Sequence, residues 1–171
     1  MIPFKKYFLR KHFKKKLIEN EIHRVVSQNE IKTAAIITTD EISSWINVKE
    51  EVENILNIKD AKVYSLKTHK KYYNEAFEHF SEKDFNWQGN IKNTNFKEFI
   101  EEPVDLLIGY FSKNNIYIES AVLQSKALFK VGISGVNQRL YDIEIAETPS
   151  KTDSFFLELK KYLTVLRKLK N

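Results

Sequence analysis

The sequence predicts an α/β fold, a mainly parallel Rossmann-like sheet in three layers, with a basic N-terminal helix and a C-terminal cover helix. Three observations carry that prediction. Short apolar runs of strand length alternate with stretches that repeat apolar residues at helical spacing. Residues 103–133 read as one strand, helix, strand crossover, the unit from which parallel sheets are built. The last stretch repeats Phe155, Phe156, Leu159, Tyr162, Leu163, Leu166 and Leu169 at the spacing of a docked amphipathic helix.

Taken in order, residues 3–28 form a helix or two short ones, with Pro3 suited to a first turn. At 100° per residue, Phe4, Tyr7, Phe8, Ile18, Ile22, Val25 and Val26 share one face, interrupted by Lys11, Lys14 and Lys15. Leu9, Phe13 and Leu17 fall roughly opposite. Residues 18–26 are expected to pack on the body. Residues 33–39 are an apolar run suited to a strand covered on both faces. Ser43 or Ser44 then caps a helix carrying Trp45, Val48, Val52, Ile55 and Leu56. A second strand at 61–66 leads to a helix at 68–80, an irregular stretch at 81–93 and a short helix at 95–101 that Pro103 ends. The crossover follows, then a turn at 134–138, an edge strand at 140–146 and the final helix, capped by Thr152 or Asp153. Right-handed crossovers leave few topologies, and the expected order of the principal strands is 2-1-3-4 with residues 140–146 at an edge.

A chain of 171 residues is one domain by the usual prior and can bury a core without metal or disulfide staples. Residues 1–28 read as a basic helical arm and residues 29–171 as a single α/β domain. Cysteine is absent, which removes thiol nucleophiles and cysteine-ligated metal centres. The apolar runs fall short of the roughly 20 residues of a membrane span, and lysines split the N-terminal apolar residues, against a secretory signal. The reading is a soluble cytoplasmic protein of unspecified oligomeric state. The net charge of +5 is unevenly placed, because residues 1–16 hold seven basic residues and no acid. The remainder is nearly neutral, so the basicity belongs to the arm.

In an open parallel sheet, ligands sit beyond the carboxyl ends of the strands. That rule selects Thr38, Thr39, Asp40 and Ser43, then Lys67, Thr68 and His69, then Ser112, and finally Ser134, Gly135, Asn137 and Arg139. The small-ligand candidates among them are Thr39, Asp40, Ser43, His69, Ser112, Ser134, Asn137 and Arg139, which would take a phosphorylated or sugar-nucleotide molecule. They are also ordinary turn and capping residues. No G-x-G-x-x-G or G-x-x-x-x-G-K cradle occurs, and there is no G-x-S-x-G elbow. His12, His23, His69 and His79 lack metal-ligand spacing, and the Glu50-Glu51 and Glu101-Glu102 pairs point to different sides of their helices. No catalytic residue, cofactor or metal is assigned, and the reading leans towards a non-catalytic protein. Asp84, Phe85 and Trp87 lie in an aromatic loop that either fills core or meets a partner. The arm itself, with Lys5, Lys6, Tyr7, Arg10, Lys11, Lys14, Lys15 and Lys16, interleaves cations with rings, a blend suited to phosphate backbones and exposed bases. Its expected partner is RNA or a ribonucleoprotein. An acidic protein, an anionic membrane surface and a structural role in a complex are the alternatives.

Blocks at residues 80–89, 105–111, 125–132 and 158–163 together resemble a family of small bacterial proteins of unknown function. The resemblance spans nearly the whole chain and implies a bacterial, cytoplasmic protein, without an activity or a catalytic residue. Residues 105–132 also resemble part of the amino-terminal half of heptosyltransferase-type glycosyltransferases, where an Asp-Leu-x-Ile strand leads through a helix to a Ser-x-Ala segment and a Val-Gly strand. That likeness supports the crossover, not a transferase reaction.

Overall fold

The computed structural model describes residues 2–68 and 78–170. The chain runs α1 (Ile2–His23), β1 (Ala34–Thr39), α2 (Asp40–Ser43), α3 (Val48–Leu56), β2 (Lys62–Leu66), β3 (Glu78–Phe80), α4 (Thr94–Glu101), β4 (Leu106–Tyr110), α5 (Ile116–Gln124), β5 (Lys130–Ile133), β6 (Ile143–Ile145) and α6 (Thr152–Val165). Short 3-10 turns occupy Glu82–Asp84 and Gln138–Leu140. The strands form one parallel sheet in the order β3-β2-β1-β4-β5-β6. The principal strands therefore lie in the expected order, with β6 at one edge, and the direction of winding reverses between β1 and β4. Helices α1, α4 and α5 pack together on one face and α3 with α6 on the other, completing three layers.

The central strands are buried on both faces: Ile36 pairs in register with Val63 and Ile108, and Ile108 with Val131. An aromatic layer of Tyr64, Phe80, Phe85, Phe96, Phe99 and Tyr117 fills one side of the core. On the other side, Tyr110 stacks on Phe156 and meets Phe155 edge to face.

Several local expectations are corrected. Helix α1 docks through Leu9, Phe13 and Leu17, all buried, while Ile18, Ile22, Val25 and Val26 stand exposed. Residues 18–26 thus do not supply the packing face. Asn47, not Ser43 or Ser44, caps α3, its side chain accepting from Glu50 N, and Thr39 caps the four-residue α2. Of the helix expected over residues 68–80, Thr68 is not helical, Glu78–Phe80 extend the sheet beside β2, and residues 69–77 lie outside the described residues. The edge strand is shorter than expected because Gln138–Leu140 turns before it. Helix α6 starts at Thr152 without a side-chain cap bond, and it buries Phe155, Phe156, Leu159 and Leu163 while Tyr162 and Leu166 remain exposed.

Candidate functional site

Because Leu9, Phe13 and Leu17 follow one another at intervals of four residues, burying them turns the opposite side of α1 to solvent. That outward stripe carries Phe4, Tyr7 and Phe8, then Lys11, Lys14 and Lys15, then Ile18 and Ile22. Phe4 and Tyr7 are 73% and 63% exposed, values that set them apart from any packing role in the described fold. A fourth ring joins from another element. Trp87, 66% exposed, meets Phe8 edge to face with centroids 5.9 Å apart, and Phe8 meets Tyr7 in the same way at 5.5 Å.

The loop that delivers Trp87 is tightly built. Ser81 and Asp84 form a capping box over the Glu82–Asp84 turn, and the Asn86 side chain accepts from Gln88 N and Asn90 N. Gly89, at φ 82°, closes against α1, where an added Cβ would lie 2.7 Å from Leu9 Cδ1. Gln124 of α5 donates to Gly89 O at 2.8 Å. Phe85 is fully buried, so the loop divides its aromatics between core and surface.

The seven cations of residues 1–16 have different surroundings. Lys5 donates to Glu82 O at 2.7 Å and lies 5.8 Å from the Tyr117 ring, and Lys16 donates to Asn90 Oδ1 at 3.2 Å. Lys6 and Arg10 border a hollow of about 290 Å³ beside Asn115 and Glu119. Lys11, Lys14 and Lys15 make no hydrogen bond or ion pair among the described residues and point into solvent. Those three, with the rings, are the chemically available part of the arm. The sequence reading did not include Phe4 and Phe8 among the site residues, although their spacing from Tyr7 and Lys11 puts them on one stripe.

The strand-end residues are largely engaged with one another. Asp40 is buried, and its carboxylate accepts from Thr68 Oγ1 at 2.5 Å, Thr68 N at 3.0 Å and Glu41 N at 2.9 Å. Thr39 accepts from Ile42 N, while Ser43 Oγ donates to Asp40 O and receives Ser65 Oγ. Asn137 accepts from Arg139 N and reaches Glu119, and Arg139 forms a bidentate pair with Glu21 at 2.6 Å. Glu119 in turn caps α5 by accepting from Asn115 N at 2.9 Å. Burial pushes its carboxyl above the usual range, against hydrogen bonds from Asn137, Asn115 and Asn114 that pull it down. Ser134 is half-buried beside β6, Ser112 is exposed, and His69 lies outside the described residues. Thr39, Asp40, Ser43 and Asn137 work as caps and as ties between β1, β2, α5 and the turn at 138–140.

Among the described residues no cluster of three or more His, Cys, Asp or Glu side chains is arranged to hold a metal ion. No described helix is long and apolar enough to cross a membrane. Neither the curated proteins nor the solved structures contain a match to this sequence. A family model does match, over residues 5–166, which takes in α1 from its fourth residue, the whole sheet and α6. The chain accordingly belongs to the family of unknown function DUF6913.

Proposed function

We propose that the protein is a non-catalytic α/β binding protein that holds single-stranded RNA, free or within a ribonucleoprotein, on the outward face of α1. The observation that carries this reading is the pairing of a ring ladder, Tyr7, Phe8 and Trp87, with the unengaged cations Lys11, Lys14 and Lys15 on one stripe. Bases stack on exposed rings without sequence preference, and ammonium groups neutralise the phosphates between them. An anionic bilayer suits the stripe less well. A membrane-surface helix keeps its lysines at the rim of an apolar face, whereas here Lys11, Lys14 and Lys15 separate the rings from Ile18 and Ile22. The reading sets the protein in a bacterial cytoplasm, in keeping with a sequence devoid of cysteine.

The test is fluorescence anisotropy with a labelled oligouridylate over a salt series, using the full chain. Replacing Lys11, Lys14 and Lys15 by Gln should lower the salt slope by about 2, since each single-strand phosphate contact adds about 0.7. Tyr7→Ala with Trp87→Ala should weaken binding by about 1–3 kcal/mol per lost stack while leaving the slope unchanged. Equal affinities across these variants, or retention by anionic vesicles with no retention of RNA, would overturn the reading.

A further inference from the structure

Beyond the stripe, α1 borders a groove of about 780 Å³ between its second half, the end of α4 and the segment joining α5 to β5. Its lining is polar and draws cations from three separate elements: Lys16 from α1, Lys97 from α4 and Lys126 from the α5–β5 segment. The fold brings these three lysines together with two carboxylates, Glu19 and Glu101, in the same lining. Lys97 lies 3.9 Å from Glu101, and Asp142 is taken by Arg24 in a bidentate pair at 2.8 and 2.6 Å. Glu19 remains as the other carboxylate of the lining. The exposed Lys126 ammonium makes no hydrogen bond or ion pair among the described residues.

Lysines in excess of the carboxylates around them raise the energy of the empty site, and an anion relieves it. Burial holds the Lys16 ammonium below its ordinary value, Glu19 opposes that, and the charge of Lys126 adds to it as the smallest of the three effects. Lys130, beneath the groove, is lowered by burial and by Arg24 and Lys126, with Asp142 opposing. The groove volume falls in the range of small-molecule sites, large enough for a base and sugar as well as a phosphate. It is also reached directly from the ring ladder, because the loop bearing Trp87 runs on to Asn90, which accepts from Lys16 at the groove edge.

We infer that this groove is a nucleotide subsite that seats one phosphate between Lys16 and Lys126 and thereby fixes one end of the strand lying on α1. The inference rests on the RNA reading for the identity of the strand, and the experiment separates the two. Uridine 5′-monophosphate, uridine and the labelled oligouridylate are titrated into the full chain, into Lys126→Gln and Lys126→Glu, and into Tyr7→Ala with Trp87→Ala. Lys126 is exposed, so both of its variants keep the fold, which circular dichroism checks. The monophosphate should bind the wild type and the ring variant alike, with uridine at least tenfold weaker. Lys126→Gln should weaken it about tenfold, and Lys126→Glu should abolish it. The oligouridylate salt slope should fall by about 0.7 in Lys126→Gln. Oligouridylate binding that needs the rings but ignores both Lys126 variants overturns the subsite and leaves the RNA reading standing. Monophosphate binding that needs Lys126, with no oligouridylate binding, overturns the RNA reading and supports a nucleotide site. Equal binding of uridine and its monophosphate overturns the phosphate assignment, and no binding of either probe overturns both.

Discussion

A Cβ atom at Gly109 would lie 2.3 Å from Tyr141 Oη, and one at Gly132 would lie 2.2 Å from the Tyr141 ring. The two glycines are register partners on β4 and β5, so together they make a flat seat on which the tyrosine lies across the sheet. Gly132→Ala should therefore cost about 1–3 kcal/mol through overpacking, measured by urea denaturation. The hydroxyl contributes differently. Tyr141 Oη is buried with no hydrogen-bond partner among the described residues, and burial together with Glu119 and Glu144 disfavours its ionised form. A buried donor without a partner carries a desolvation cost, so Tyr141→Phe should leave stability unchanged or raise it by about 1 kcal/mol. A loss greater than about 1 kcal/mol would mean that the hydroxyl is bonded. None of this is readable along the chain, where Gly109 sits inside an ordinary apolar strand. What relates residues 109 and 132 is strand register, and Tyr141 reaches both from the end of the 138–140 turn, neither of which a linear pattern contains.

Helix α1 raises the same issue one level up, because its sequence offers two apolar stripes and periodicity alone does not choose between them. The stripe with more apolar residues, Phe4 to Val26, is the exposed one, and the narrower Leu9, Phe13 and Leu17 stripe is buried. The choice is made by partners far away in sequence. Glu21 pairs with Arg139, Arg24 pairs with Asp142 while its guanidinium also donates to Ala127 O and Leu128 O, and Lys5 donates to Glu82 O. Those ties fix the rotation of the helix, and the glycine at position 89 admits Leu9. The sequence identified the arm, its cations and Trp87 as candidates. It could not show that docking leaves Lys11, Lys14 and Lys15 free while Lys5 and Lys16 are engaged. Strands were more legible, since runs buried on both faces such as residues 34–38 have no competing face to offer. If α1 is held as described, Leu9→Ala or Phe13→Ala should destabilise the whole fold by about 2–5 kcal/mol. Ile22→Ala should stay within about 0.5 kcal/mol. Equal effects at Leu9 and Ile22 would show that the helix does not dock through the Leu9 stripe.

At the scale of the whole molecule, charge is distributed so that folding itself titrates. Lys130 begins β5 with 1% exposure, and its ammonium donates to Val122 O at 2.7 Å and Leu123 O at 3.3 Å, satisfying carbonyls at the end of α5. Burial first, then the charges of Arg24 and Lys126, lower it from 10.5 to about 7, with Asp142 acting the other way. Between those two values the unfolded chain holds a proton on this side chain that the folded chain releases. Stability therefore rises with pH across that window, and the cost of the buried charge is fully present below about 7. Lys130→Met keeps the apolar stem and deletes the proton, although it leaves Val122 O and Leu123 O without their donor. Its absolute stability at one pH is consequently ambiguous, whereas its pH dependence is not. Urea midpoints between about 7 and 10.5 should climb in the wild type and climb measurably less in Lys130→Met. Parallel profiles would mean that Lys130 keeps an ordinary proton affinity in the folded protein, and that the charge crowded at the base of α1 is relieved by some means other than its deprotonation.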